Sequence, residues 1–276
     1  MALDLTIENQ IKFIQNYMTA KNAASGSEVD QNANVANKNI ATMAAELPKK
    51  NMIALNRELM RQKLTTMYGE EVANQYEKDL AHHIIYKHDE TSIFPYCCSI
   101  SLYPFLLNGL TDIGWGSSAP QYLRSFCGSF INLVFLVAGQ FAGATATPEF
   151  LVYFDHFARL DYGQDYIRHL DDVVEILPGR RNRQITIKEK IENYFEQIVY
   201  TVNQPAGARG YQSIFLNIAY FDHDYFEAIF KDFFFPDGDE PCWETTKELQ
   251  KLFMKWFNKE RLKNILTFPV ETANMH

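Results

Sequence analysis

The sequence predicts a helix-rich α/β fold, on three observations. Segments with apolar residues at helical spacing alternate with shorter runs of β-branched and aromatic residues, the pattern of strands carried between helices. Hydrophobic residues make up 47% of the 276 and aromatic residues 14%, ample for a packed core. No repeat and no low-complexity tract interrupts the chain, which sets aside solenoids and disordered tails.

Residues 1–22 read as a short helix, and AASGSEVDQNANVANKN after it has the small, polar composition of a loop or extended arm. From Lys49 to His83 the residues Ile53, Leu55, Leu59, Leu64, Met67, Val72, Tyr76 and Leu80 recur at helical intervals. Gly69 divides them into two helices. Turn residues mixed with β-branched and aromatic ones follow, and they predict a strand near 96–102. The longest uncharged run, Ser125 to Pro148, reads as a helix, and FLVYFDHFARLDYGQDYIRHLDDVVEIL reads as its helical continuation. GRRNRQ is then a basic turn, KEKIENYFEQIVYTVNQ a helix, and PAGARGYQSIFLNIAYFD a glycine-rich start to a strand. After the turn FPDGDEP comes the helix WETTKELQKLFMKWFNKERLKN, and ILTFPVETANMH is a last strand-like piece. A terminal strand wants a partner on each side unless it forms an edge, so the chain is expected to stop in mid-sheet. The division expected is an N-terminal helix and arm over 1–48 and one incomplete domain over 49–276.

Charge and cysteine usage narrow the function. With 34 acidic and 26 basic residues, the net charge of -8 argues against a general binder of nucleic acid or anionic membranes, whose footprint would be basic. The run 125–148 is long enough to span a bilayer, but Ser129, Asn132, Gln140 and several glycines lie within it and no Lys/Arg cluster flanks it. A buried helix is the reading preferred. The four cysteines, at 97, 98, 127 and 242, have no CxxC or metal-ligand spacing, and MALDLTIENQIKF lacks the regions of a secretory signal; a reducing, cytoplasmic setting is expected.

Common catalytic motifs are absent: the sequence holds no GxxxxGK[ST], no GxGxxG after a strand, no HExxH and no GxSxG. Arg180, Arg181 and Arg183 suit either phosphate contacts or a solvated loop, and PAGARG suits either an anion-binding turn or a plain one. His88 beside Asp89 suits an oriented imidazole or a capped turn. The most informative local feature is Cys97-Cys98 in PYCCSISLYPFL, because neighbours on a strand face opposite ways and the two thiols cannot share one environment.

Four segments, YKHDETSIFPYCCSISLYPFLLNGL, APQYLRSFCGSFINLVFLVAGQFAGATATPEFLVYFDHFARLDYG, NQPAGARGYQSIFLNIAYFD and FMKWFNKERLKNILTFPVETAN, closely resemble the N-terminal half of class III anaerobic ribonucleoside-triphosphate reductases, in particular a phage-like branch. The resemblance spans roughly residues 30–276 in chain order. It implies the first half of a ten-stranded α/β barrel of the glycyl-radical type, with a ribonucleoside triphosphate as substrate, a deoxynucleotide effector and a radical-SAM activating enzyme. It also implies a homodimer formed near the 125–148 segment. Cys97 matches the cysteine on the first barrel strand that supplies hydrogen while the 2′ hydroxyl leaves as water, with Cys98 packing away from the substrate. His88, Ser213 and Asn217 fall in matching strands or their approaches and are candidates for the substrate pocket. Formate or a small redox protein would supply reducing equivalents.

The same resemblance defines what this sequence lacks. A thiyl-forming cysteine is expected soon after TFPVET, followed by zinc-binding cysteines and a glycyl-radical loop, and none is present; nor is an N-terminal ATP-sensing cone. No cofactor is therefore expected in this chain itself, and the glycyl radical and structural zinc are expected in a C-terminal reductase fragment. The expectation is one piece of a split or truncated enzyme, inactive alone. The alternative is a non-catalytic relic that binds a nucleotide or a reductase subunit. A pyruvate formate-lyase relative is disfavoured because the matched segments are those of the reductases.

Overall fold

The structure is a computed structural model that describes residues 6–17, 40–87, 90–91, 96–111, 116–178, 182–207 and 212–276. Two compact units divide the chain, residues 1–96 with 207–212 and residues 97–206 with 213–276. Residue 49, the expected boundary, falls inside the first.

The first unit is helical: α1 (Ile7–Tyr17), α2 (Ile40–Glu46), α3 (Lys49–Tyr68) and α4 (Glu70–Ala81). The last two form a hairpin at Gly69, whose φ of 90° is a conformation that a residue with a Cβ resists. Arg61 braces the hairpin by reaching Glu70 at 3.7 Å and Glu77 at 3.5 Å. Buried Asn56 donates from Nδ2 to the Glu90 carbonyl at 2.7 Å, and Arg57 pairs with the Glu90 carboxylate at 2.6 Å.

The second unit holds a sheet wrapped by helices. Its order is β1 (Cys98–Ser99), α5 (Tyr103–Asn108), α6 (Leu123–Ala138), β2 (Thr145–Ala146), α7 (Phe150–Tyr162), β3 (Val173–Leu177), β4 (Arg183–Thr186), α8 (Ile187–Val202), β5 (Leu216–Phe221), α9 (His223–Phe230), α10 (Trp243–Arg261) and β6 (Val270–Asn274). Strands β1, β2, β5 and β6 form one parallel sheet in that order, with β1 and β6 at its edges, while β3 and β4 form an antiparallel hairpin apart from it. Each parallel neighbour is reached through helices, as a crossover demands. The α/β class and the helix-strand alternation are therefore present, in a four-stranded sheet.

Two expected helices are shorter than the sequence suggested. The uncharged run is not helical to Pro148: α6 stops at Ala138, and after Gly139 and Gly143 the chain enters β2 at Thr145. Nor does one helix run from Phe150 to Leu177. Gly163, at φ 101°, ends α7, a short 3-10 turn follows at Tyr166–Arg168, and the β-branched Val173, Val174 and Ile176 go into β3. The strand expected near 96–102 keeps only Cys98 and Ser99 in the ladder, because α5 begins at Tyr103 with Pro104 in its first turn. Among the described residues no helix is long and apolar enough to cross a membrane.

Aromatic rings build the core. Phe126 of α6 stacks on Phe157 of α7 at 4.9 Å, Phe154 meets Phe195 of α8 at 5.0 Å, and Phe195 meets Phe253 of α10 at 4.9 Å. These rings are fully or almost fully buried, so four helices share one continuous apolar interior. All ten residues from Phe150 to Arg159 are buried, which makes α7 the central helix. Its charged members pair with one another: Arg159 Nε donates to Asp155 Oδ2 at 3.1 Å and Nη1 reaches Asp239 at 2.7 Å, while Tyr166 and Thr245 donate to the Asp155 carboxylate at 2.9 and 2.8 Å. This network joins α7 to α10 and to the loop before it.

Candidate active site

The parallel sheet has two unlike faces. Alternation along a strand puts Cys98 and Ile100 on one side with Cys97 and Ser99 on the other, and register carries those sides across the sheet. Cys98 pairs with Thr145 and Leu216, and these face the buried helices. Ser99 pairs with Ala146 and Ala146 with Asn217 in one row on the opposite face, while Val270, next in that row, packs against the core. Ser99 and Thr272 are exposed there, and Ala146 and Asn217 half-buried. We call this the open face.

Cys97 is exposed, and its Sγ accepts a hydrogen bond from the Ala144 backbone N–H at 3.2 Å, which fixes the sulfur at the root of the open face. Cys98 is half-buried and packs against the core; its thiol points to Thr145 Oγ1 at 3.8 Å, and burial pushes it up from the ordinary thiol range. Cys127 is fully buried inside α6 with its thiol pushed well up, and Cys242 sits half-buried ahead of α10 with its Sγ 3.7 Å from Glu244. A thiol that must meet a ligand has to be reachable, and of the four Cys97 is the exposed one.

Asn217 shares the open face with Cys97. Its Nδ2 donates to Thr272 Oγ1 of β6 at 2.9 Å. Thr272 could not be placed beside Asn217 from the sequence, since nothing in TFPVETAN says which strand it lies beside. Ser213 is not part of this group. It is buried and donates from Oγ to the Asn203 carbonyl at 3.0 Å, so its hydroxyl serves the junction between α8 and β5. His88 lies outside the described residues, as do Asp89, Arg180 and Arg181; Arg183 opens β4, 3.8 Å from Glu189.

The backbone that presents Thr272 is clamped from the closed side. Asn203 Nδ2 donates to the carbonyls of Val199 and Phe268, both at 2.7 Å, and its Oδ1 accepts from the N–H groups of Thr267 and Phe268 at 3.0 and 3.1 Å. Arg261 stacks over Phe257 at 3.8 Å and pairs with Glu271 at 2.5 Å, and Glu271 also accepts from the Tyr220 hydroxyl. Burial and the Glu271 carboxylate together raise the Tyr220 phenol, which therefore stays protonated and donating. A residue on β6 thus has one register against β5.

A separate concavity of about 390 Å³ lies between α6 and α8, lined by Arg124, Gly128, Lys190, Asn193, Tyr194 and Gln197. Its two cations are Arg124 and Lys190, of which Lys190 is ion-paired with Glu175. Among the described residues no group of three or more His, Cys, Asp or Glu side chains could hold a metal ion.

Comparison with known proteins gives this geometry a family. The profile of the anaerobic ribonucleoside-triphosphate reductases matches residues 39–276. Solved structures of the anaerobic ribonucleotide reductase from Thermotoga maritima are similar throughout. One, with citrate in its active site, is 27% identical with a TM-score of 0.72, covering 96% of this chain and 43% of that one. A complex with dATP and CTP is 26% identical with a TM-score of 0.74, covering 96% and 39%. A third, with dATP in its specificity site, is 25% identical with a TM-score of 0.71, covering 99% and 46%. No curated protein matches the sequence. The chain spans about two fifths of the length of these solved relatives. A match over residues 39–276, carried by the same segments that build the sheet and its open face, means that the chain belongs to the anaerobic ribonucleoside-triphosphate reductase family.

Proposed function

We propose that this chain is the N-terminal part of an anaerobic ribonucleoside-triphosphate reductase, which makes deoxyribonucleotides for DNA synthesis. The observation that carries the reading is the exposed Cys97 sulfur, held by the Ala144 N–H on the sheet face that also carries Asn217, two strands away. Strands β1, β2, β5 and β6 are then staves of the ten-stranded barrel, and the open face lines its interior. The C-terminal part of such a reductase would hold the glycyl radical, a structural zinc and the thiyl-forming cysteine, and that cysteine would supply the hydrogen abstraction that starts the reaction.

The residues of this chain then have definite tasks. Cys97 donates the hydrogen of its S–H bond as the substrate's 2′ hydroxyl leaves as water. Asn217 hydrogen-bonds the ribose, and the Ala144 N–H keeps the sulfur in line. With formate as reductant the overall change balances: formate, a proton and a ribonucleotide give carbon dioxide, water and a deoxyribonucleotide. A radical-SAM enzyme activates the complex. Two copies associate through the uncharged 125–148 segment, and the concavity beside Arg124 takes the phosphates of a deoxynucleotide effector.

The test is anaerobic turnover of a ribonucleoside triphosphate by this chain assembled with the polypeptide that completes the barrel. The expected result is turnover in the parent complex and loss of at least about a thousandfold in Cys97→Ala, the scale for removing a group that makes and breaks bonds. Full turnover in Cys97→Ala would sink the assignment. The same concavity also favours a second reading, a non-catalytic nucleotide-binding protein, which predicts deoxynucleotide binding with no turnover in any assembly.

A further inference from the structure

His156 is a buried imidazole in the middle of α7, away from the open face, and both of its ring nitrogens meet carboxylates. Nδ1 lies 3.1 Å from Asp239 Oδ2 and Nε2 lies 3.4 Å from Asp237 Oδ2, both on the loop between α9 and α10. The ring stacks on Phe235 of the same loop at 3.9 Å and meets Phe157 edge-on at 5.1 Å. The charged groups that act on it are these two aspartates and, from α7 itself, Arg159.

Proton counting sets the consequence. A neutral imidazole has one N–H and one bare nitrogen, and an ionised carboxylate can only accept. Whichever tautomer forms, one of the two carboxylates faces a lone pair. Only the imidazolium, with two N–H groups, bonds both. The surroundings decide which contact yields. Asp239 is held by Arg159 Nη1 at 2.7 Å as well, and its side chain is 27% exposed. Asp237 is farther from the ring and 45% exposed, and among the described residues His156 is its one ion-pair partner. The neutral ring therefore keeps its N–H on Asp239 and turns a bare Nε2 toward Asp237. When Asp237 withdraws, the bond that its Oδ1 accepts from the Asp239 backbone N–H at 3.1 Å goes with it.

We propose that His156 is a proton-operated latch: neutral, it holds only the Asp239 limb of the loop, and on taking up a proton it draws in Asp237 as well and closes the loop onto α7. Burial lowers the imidazole below its ordinary 6.5 against the pull of the two carboxylates, so the latch is open at neutral pH and closes on acidification. Burying that charge costs the fold as a whole, yet within the folded state the charged ring has one more partner to hold. None of these groups belongs to the open face, so the latch stands whatever chemistry that face performs.

The experiment follows the full chain, labelled with nitrogen-15, from about pH 8 to about pH 5, a range that brackets histidine titration. Ring-nitrogen shifts report the tautomer and charge of His156, identified by the loss of its signals in His156→Gln, and hydrogen exchange corrected for its intrinsic pH dependence reports the Asp239 amide. At the upper end the ring is the Nδ1–H tautomer. As it takes up its proton, exchange at Asp239 slows by about tenfold or more, the size of one charge-assisted hydrogen bond, with the same midpoint. Asp237→Asn keeps the acceptor for the Asp239 N–H and can donate to the bare Nε2, so its loop is protected already at neutral pH, the step disappears and the His156 titration moves to lower pH. Three results overturn the proposal: a ring that stays neutral to the end of the range, exchange at Asp239 that ignores its charge, or a step that survives in Asp237→Asn. The last would place control in Asp155, which reaches the loop only through Arg159.

Discussion

Asp155 is fully buried in α7, and burial raises its carboxyl from the ordinary 3.8 to about 6 even though Arg159, Thr245 and Tyr166 all favour its ionised form. A group whose folded pKa is raised stabilises the fold fully below its unfolded pKa, and that contribution is lost as pH rises through the folded one. Between the two pKa values, from about pH 4 to pH 6, the unfolded chain has released this proton while the native chain still holds it. The native state therefore loses about 3 kcal/mol over that window, from about 1.4 kcal/mol per pH unit for one proton. Asp155→Asn keeps the shape and an acceptor for Arg159 and Thr245 but cannot ionise. It lowers stability throughout, yet its penalty shrinks by about 3 kcal/mol from pH 4 to pH 7. His156, whose imidazole is lowered chiefly by burial, loses stability in the opposite direction, as pH falls. Both proteins carry it, so it cancels in the difference. Urea unfolding of parent and variant at half-unit pH steps measures this. A penalty that grows with pH would refute the reasoning, because it would mean that the Arg159 pair outweighs burial and holds the carboxylate ionised.

Other consequences can be checked on the same protein. Asn203→Ala leaves backbone groups of Val199, Thr267 and Phe268 without their side-chain partner, so unfolding should be about 2–4 kcal/mol easier; hydrogen exchange at Thr267 and Phe268 should quicken before exchange in α7. Phe126→Ala removes a ring packed on Phe105, Phe130, Phe150 and Phe157 and should cost about 3–5 kcal/mol in chemical denaturation. Alkylation by iodoacetamide followed by peptide mass spectrometry should label Cys97 first and Cys127 last, since one is exposed and the other fully buried with its thiol pushed up. Earlier labelling of Cys127 would contradict the placement of α6.

Legibility in the sequence followed the range of the interactions. Helices α8 and α10 and strands β5 and β6 were readable because periodicity and β-branching are local signals. Strand β2 was not, since Thr145 and Ala146 are two residues inside an uncharged run, and only their neighbours Cys98 and Leu216, 47 and 71 positions away, make them a strand. The opposite facing of Cys97 and Cys98 needs nothing beyond alternation. The direction of Ser213 does need more, because its partner is a carbonyl at the end of α8. Asp155 and Arg159 stand at i,i+4 within FLVYFDHFAR, whereas the closure of that pair by Asp239 and Thr245 depends on residues 80 or more positions on. Polar groups that find distant partners are the part of this site that pattern cannot supply.

The two faces of the sheet are coupled through the backbone they share. On the closed face Glu271 is fixed by Tyr220 and Arg261; on the open face its neighbour Thr272 bonds Asn217. A strand cannot slide by one residue without exchanging those faces, so whatever locks Glu271 also locks Thr272. Cys97 sits three strands from β6 in the sheet order and is held through the Ala144 N–H. Loosening the clamp, for instance by Arg261→Met, should therefore disturb the Asn217 side-chain amide signals in nitrogen-15 spectra while leaving the alkylation rate of Cys97 as it was. If both changed together, the sheet would be responding as one rigid plate, and the separate control of the thiol end and the amide end argued from these contacts would be wrong.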